Sequence, residues 1–152
     1  MQKYIFDGNN LIGKIKNLQK LQQKDKKAAR EKLAFLIDNY FIGKKIKVSL
    51  HFDGFRNDPI RTVLVKIIYS EKKTADEKIK AEISASKNPR NITVVTSDNN
   101  LKEFARVCSA SVIPSEKFAS ELRRRNDTDE EEARIRRINS VEEFKKIFNV
   151  KK

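Results

Sequence analysis

Four aspartates carry the chemistry open to this sequence: Asp7, Asp53, Asp76 and Asp98. Three of them end the same kind of pattern. Tyr4-Ile5-Phe6 runs into Asp7-Gly8-Asn9-Asn10, Leu50-His51-Phe52 into Asp53-Gly54, and Thr93-Val94-Val95-Thr96-Ser97 into Asp98-Asn99-Asn100. Each reads as a short buried strand that stops at a carboxylate and then turns. If the strands are parallel neighbours, their carboxylates meet at one edge of one sheet. Carboxylates within a few ångströms raise one another's pKa unless a cation joins them. One His and one Cys exclude a His/Cys zinc site, so any metal is a hard ion held by oxygen. A divalent ion of that kind, such as Mg2+, would activate water and stabilise charge on a phosphoryl oxygen.

Structural roles compete for most of these residues. Ser97 or Asp98 is a good helix N-cap, so Asp98 is as readily a cap as a ligand. Thr74-Ala75-Asp76-Glu77 fits a capping box, which accounts for Thr74 and Glu77 and leaves Asp76 unexplained. Asp53-Gly54 is equally a plain turn. Asp7 is the hardest to explain structurally, because no basic residue follows it in sequence until Lys14. Asn10 could assist beside Asp7. His51, without a second His or Cys, reads as a packed strand residue. Arg56, Arg61, Lys72, Lys73, Lys80 and Arg90 could hold phosphates, a contact that fixes position without reading sequence. Phe55 and Tyr69 could stack bases; otherwise Phe55 is a loop tip and Tyr69 core.

The elements that must position these groups alternate. Strands are expected at 3–6, 46–52, 62–69, 92–96 and 111–114. Helices are expected at 28–41, 75–86, 99–108 and 116–125, with a last short one from the capping box Ser140-Val141-Glu142-Glu143 through Phe148. Leu11 to Lys27 reads as a polar, mobile connection, with a partly helical course as the alternative. One strand pair, 46–52 and 62–69, has no helix between its members. Strand–helix alternation implies α/β architecture: a mainly parallel sheet with helices on both faces and sites beyond the strands' carboxyl ends. The Asn126–Glu132 acidic run reads as a solvated helix face.

The totals restrict the partner. The 152 residues suffice for one domain with a core. With 34 Lys+Arg against 21 Asp+Glu, the net charge is +13. Residues 1–115 hold 23 basic and 12 acidic groups, so the excess lies with the Asp-terminated strands. Such a field favours a polyanion, although a lysine-rich genome produces the same excess. It fits phosphotransfer on small substrates poorly, and no P-loop is present. The single Cys108 suits a reducing compartment and reads as a small core residue. No apolar run is long enough to span a membrane, and the first residues do not read as a signal peptide. A cytoplasmic location is therefore expected.

Taken in order, several motifs resemble the NYN domain, in its YacP-like branch among the PIN-like nucleases. They are Asp7-Gly8-Asn9-Asn10, Phe52-Asp53-Gly54, Tyr69-Ser70 with Thr74-Ala75-Asp76-Glu77, Val94-Val95-Thr96-Ser97-Asp98, and Ser115-Glu116-Lys117-Phe118. The resemblance covers residues 1–125, which we take as the nuclease domain, with 126–152 as a charged helical extension. It implies a three-layer α/β/α fold and a Mg2+- or Mn2+-dependent endoribonuclease that cleaves RNA phosphodiester bonds with metal-activated water. The acidic, metal-holding site maps onto Asp7, Asp76 and Asp98, with Asn10 and Ser97 assisting at the substrate and Arg56, Lys72, Lys73 and Arg90 as phosphate contacts. The expected partner is RNA, single-stranded mRNA in the first place, with the ribosome a second candidate. The alternative is a PIN-like module that binds RNA or the ribosome without cutting. The chain departs from the family at Ser109-Ala110, where Gly-Ala usually follows the helix, which puts the left-handed cap there in question.

Overall fold

The computed structural model describes residues 1–56 and 59–150, with backbone alone for 126–130, 133 and 139–150. Asn57 and Asp58 of the expected turn, the side chains of most of the acidic run and those of the Ser140 capping box lie outside the described residues.

Five strands form one sheet in the order β3-β2-β1-β4-β5, and every neighbouring pair is parallel. In chain order they are β1 (Gln2–Asp7), β2 (Ile46–Phe52), β3 (Val65–Tyr69), β4 (Ile92–Val95) and β5 (Ser111–Ile113). Side-chain alternation assigns the two faces. Tyr4 and Phe6 of β1, Val48, Leu50 and Phe52 of β2 and Val95 of β4 pack into one cluster, under α1 (Gly8–Ile12), α2 (Lys16–Lys24), α3 (Lys26–Phe41) and α6 (Ser115–Val150). Ile5, Ile92 and Val94 pack into the other, under α4 (Ala75–Ala85) and α5 (Asn99–Val107). The result is the three-layer α/β/α arrangement the alternation predicts.

Two expectations about helices fail. Leu11–Lys27 is not a mobile connection: it holds α1 and α2, with Leu11, Ile12 and Leu18 buried. Ile15, Leu18 and Leu21, spaced three apart, give α2 one apolar stripe, which suffices to dock it on the α3 face. The chain also shows no break after Arg125, because α6 runs from Ser115 to Val150. Residues 126–140 contain neither Gly nor Pro, and their three Glu, three Arg and one Ala are strong helix formers. Arg134 adds bonds of 2.6 and 2.7 Å to Glu131 one turn back.

The strand pair without a helix is parallel all the same. The connection from β2 to β3 crosses as a loop, and Asp38 of α3 holds its end. The buried Asp38 carboxylate accepts from the backbone N–H groups of Val63, Leu64 and Val65 at 2.7, 2.8 and 3.0 Å. Val63 and Leu64 give their N–H groups to that side chain and are not paired with β2, so β3 begins at Val65 and not at Thr62.

On the other face, Glu82 fastens α4 to the sheet. Its carboxylate accepts from Ser49 Oγ at 2.8 Å, pairs with His51 Nε2 at 2.7 Å and with Lys3 Nζ at 2.5 Å. Burial alone would raise the Glu82 pKa, but the bonds from His51, Lys3 and Ser49 outweigh it and hold it at about 2, below the usual 4.5. His51 is thus the packed strand residue its isolation suggests.

The departure at Ser109 does not abolish the left-handed cap. Ser109 adopts φ +69° and Ala110 N–H closes on Ala105 O at 2.8 Å, so α5 ends in a Schellman-type turn with serine in glycine's place. A Cβ-bearing residue in that region costs about 1 kcal/mol. Ser109→Gly is expected to raise stability by about 0.5–1 kcal/mol in chemical denaturation.

Glu82 yields a second prediction. A folded pKa near 2 against 4.5 means that its stabilisation is complete above pH 4.5 and is lost as pH falls toward 2. A shift of that size corresponds to on the order of 3 kcal/mol. Glu82→Gln is therefore expected to cost about 2–3 kcal/mol at pH 7, with the gap to wild type closing below pH 4.5 in urea unfolding followed against pH.

Candidate active site

The order of the strands singles out one edge. The chain builds outward from β1 through β2 to β3, then returns to place β4 on the other side of β1. A crevice opens at such a reversal, beyond the carboxyl ends of the strands. Asp7 is the last residue of β1 and shares the face of Ile5. Thr96 follows β4 on the face of Ile92 and Val94 and is fully buried. The two meet there, with Thr96 Oγ1 donating to Asp7 Oδ2 at 3.0 Å. The same hydroxyl accepts from Asp98 N–H at 3.1 Å, so one buried side chain links both carboxylate-bearing residues.

Asp7 lies above the usual carboxylate range. Burial is the main cause, opposed by the Thr96 hydroxyl and the Asn10 N–H, and the charges of Asp53 and Asp98 push in the same direction as burial. Asp7, Asp53 and Asp98 therefore share one electrostatic neighbourhood. Asp98 also caps α5, accepting Leu101 N–H at 3.0 Å through Oδ1. Its other oxygen takes no part in that cap. The cap and the site placement are thus compatible.

The turn after Asp7 ties the edge together. Gly8 has no space for a side chain: a Cβ would stand 2.6 Å from His51 O and from the Phe52 ring. With α1 pressed that closely on β2, Asn9 Oδ1 accepts from Asp53 N–H at 3.0 Å. Asn10 Oδ1 accepts from Ser97 N–H at 3.0 Å and from Ser115 Oγ at 2.6 Å. Ser97 Oγ accepts from Ser115 N–H at 2.9 Å and donates to Glu116, whose carboxyl that bond holds below its ordinary range. Asn10 and Ser97, expected at the substrate, thus also join β1, the β4–α5 turn and the start of α6.

Asp53 is more central than its sequence suggests. Its Oδ1 accepts the N–H of Ala75, the first residue of α4, at 2.8 Å, which sets Asp76 beside it in sequence on the same edge. Arg30 reaches up from α3, donating to Asp53 O at 2.8 Å with its guanidinium 4.8 Å over the Phe52 ring. Thr74 caps α4 through Glu77 N–H at 3.1 Å, as the capping box predicts. Asp76 pairs with Lys80 through Oδ2 at 3.2 Å, while its Oδ1 is buried with no hydrogen-bond partner. Among the described residues, no group of three or more His, Cys, Asp or Glu side chains is already arranged around a common metal position.

The basic residues divide by edge. Arg56 follows β2, and Lys72 and Lys73 follow β3, so all three stand at the carboxyl edge with Asp7. Arg90 precedes β4 in a 3-10 turn, Pro89–Asn91, and lies at the opposite edge, roughly one four-residue strand, 13 Å, away. The structure does not bring it to the carboxylates. Phe55 is 60% exposed beside Asp53, whereas Tyr69 packs on Phe52 with ring centroids 6.3 Å apart. Sequence reasoning gives no individual role to Asn9, Thr96, Ser115 and Glu116, though each lies in a quoted motif, and passes over Arg30. Thr96 alone has a legible signal, lying two residues after Val94 on the same strand face.

No curated protein matches the chain by sequence. A crystal structure of a point mutant of Rae1 (YacP) from Bacillus subtilis superposes with a TM-score of 0.69 at 28% identity, covering 92% of this chain and 85% of that one. A second crystal structure of Rae1 (YacP) gives 0.66 at 24% identity, over 97% and 87%. The profile of the YacP-like NYN domain matches residues 4–151, nearly the whole sequence, and so the chain belongs to the YacP-like NYN family of PIN-like nucleases.

Proposed function

We propose that this protein is an endoribonuclease dependent on a divalent ion, Mg2+ or Mn2+, acting at the carboxyl edge of the sheet. The observation that carries the reading is Asp7. It is a half-buried carboxylate served by one hydroxyl and one N–H, with Asp53 and Asp98 close enough to raise its pKa further. An uncompensated acid of this kind invites a cation. The donor chemistry fits a hard ion: all the candidate ligands are carboxylate oxygens, and Asp76 Oδ1 is buried with no partner. Asp7, Asp76 and Asp98 would hold the ion, Asp76 exchanging Lys80 for it. When bound, such an ion supplies positive charge to phosphoryl oxygens and makes water a stronger nucleophile at neutral pH.

The chain's own groups do the rest. Thr96 fixes the Asp7 carboxylate relative to the Asp98 backbone. Asn10 spends its carbonyl oxygen on Ser97 and Ser115 and keeps its amide N–H groups for a substrate oxygen. Arg56, Lys72 and Lys73 line the same edge and would bind phosphates on either side of the scissile bond. The substrate we infer is single-stranded RNA, mRNA in the first place, met in the cytoplasm and with the ribosome a candidate partner. The groups named here all fall within residues 1–125, which we take as the nuclease unit, with 126–152 as its charged helical extension.

Asp7→Asn and Asp98→Asn are each expected to reduce RNA cleavage at least about a hundred-fold, since losing a ligand costs more than losing a group that orients one. Both keep the fold, because Asn can still cap α5. Equal cleavage by the double variant and wild type, or cleavage indifferent to Mn2+ and to chelator, would sink the metal site; RNA binding by wild type with no cleavage in Mg2+ or Mn2+ would leave a binding module.

Asp7 also predicts a stability signature. Its raised pKa means that the folded chain holds this proton more tightly than the unfolded chain does. The cost of ionising it is absent below about pH 3.8 and present in full above the folded pKa. In chelator at pH 7, Asp7→Asn should therefore melt higher than wild type, with the gain vanishing toward pH 3.8. Added Mn2+ should raise the melting temperature of wild type and not of Asp7→Asn.

A further inference from the structure

A second polar feature lies beyond the carboxylate edge. Between α2, α3 and α6 runs a groove of about 350 Å³, within the range of small-ligand pockets. Its floor is apolar, built by Leu18, Leu36 and Leu122. Its rim carries Lys14, Lys16, Lys32 and Arg123, all exposed, and no acidic residue lines it. Among the described residues none of these four cations is in an ion pair. Four such cations, from the α1–α2 turn, α2, α3 and α6, surround an apolar slot, an arrangement that suits a ligand with a flat apolar body and a chain of anions.

The groove connects with the carboxylates. Lys14, at its mouth, acts electrostatically on Glu116. Glu116 accepts from Ser97, the neighbour of Asp98. Lys14 of the rim and Ser97 of the carboxyl edge thus share Glu116 as a neighbour.

We infer that this groove is a binding site for single-stranded RNA flanking the cleaved bond, with bases against the leucine floor and phosphates on Lys14, Lys16, Lys32 and Arg123. The inference rests on the nuclease reading for its substrate and on the groove alone for its place. Apolar contact with base faces together with lysine contacts to phosphates is sequence-tolerant and dependent on salt.

The test measures binding without cleavage, using full-length Asp7→Asn protein in chelator and a fluorescent single-stranded RNA of mixed sequence. Lys16→Glu with Lys32→Glu should raise Kd about ten-fold or more and reduce the log–log salt slope by roughly 1.4, the share of two phosphates on a single strand. The control is Lys47→Glu with Lys87→Glu, an equal charge change at the amino edge, on two exposed residues beside the starts of β2 and β4. It should change Kd less than about three-fold. All four sites are exposed, and circular dichroism checks the fold of each variant. Equal loss in both double variants overturns the inference, because net charge alone would then explain binding. Unchanged RNA binding in the Lys16/Lys32 variant also overturns it, including the case in which an acidic protein segment occupies the groove. Wild-type cleavage separates the two proposals. Groove-dependent binding without any cleavage sinks the nuclease reading and keeps the groove, and cleavage without groove dependence does the reverse.

Discussion

The closest constraint in the molecule is the contact of Gly8 with β2. A Cβ there would collide with the His51 carbonyl and the Phe52 ring at 2.6 Å, so the chain can turn directly from β1 into α1 only with glycine. Everything at the carboxyl edge depends on that turn. It brings Asn9 to the backbone of Asp53 and Asn10 to Ser97 and Ser115. Three strand ends and the start of α6 are thereby fixed by two consecutive side-chain amides. The edge is rigid because its cross-links are short and come from one five-residue helix packed in the crevice, not from long flexible loops.

What the sequence made legible is what is local. The buried strands show as apolar runs, their ends as Asp followed by turn residues, and the capping role of Thr74 as a spacing. The parallel sheet follows from alternation. The less legible parts depend on partners far away in the chain. Glu82 looks like one more helical glutamate until it meets Lys3, Ser49 and His51 on two strands. Asp38 looks like a surface residue of α3 until the crossover loop brings three N–H groups to it. Arg90 seems close to Asp98 in sequence, yet a parallel strand separates the two by its own length, because a residue before a strand and one after it stand at opposite edges. The length of α6 was hidden for a different reason. A capping-box pattern at Ser140 marks a possible helix start, but a pattern that permits a start does not compel one when the residues before it are helix formers.

The charge of the chain and the chemistry of its edge act at different ranges. A net +13 is a long-range property that draws in polyanions over about a Debye length, near 8–10 Å at physiological salt. Asp7, Asp53 and Asp98 act within contact distances, where they repel phosphate. The structure keeps the two apart: the acids are gathered where β1 and β4 end, and exposed lysines and arginines stand on the loops and helices around them.

Three carboxylates wholly or partly withdrawn from solvent show what distinguishes the site from the scaffold. Asp38 receives three backbone N–H groups, and Glu82 receives a lysine, a serine and a histidine and is held at about 2. Both are satisfied within the fold, as buried charges must be if they only hold structure together. Asp7 has one hydroxyl and one N–H, stands beside like charges, and lies above its ordinary pKa. A fold that supplies three donors to Asp38 has no general difficulty in neutralising a carboxylate. Leaving Asp7 short of donors costs stability. Perturbed acids of this kind concentrate where a protein does chemistry, because the missing partner comes from outside the chain. The contrast among the three supports the functional reading of Asp7 from the fold's own energetics, independently of the family to which the chain belongs.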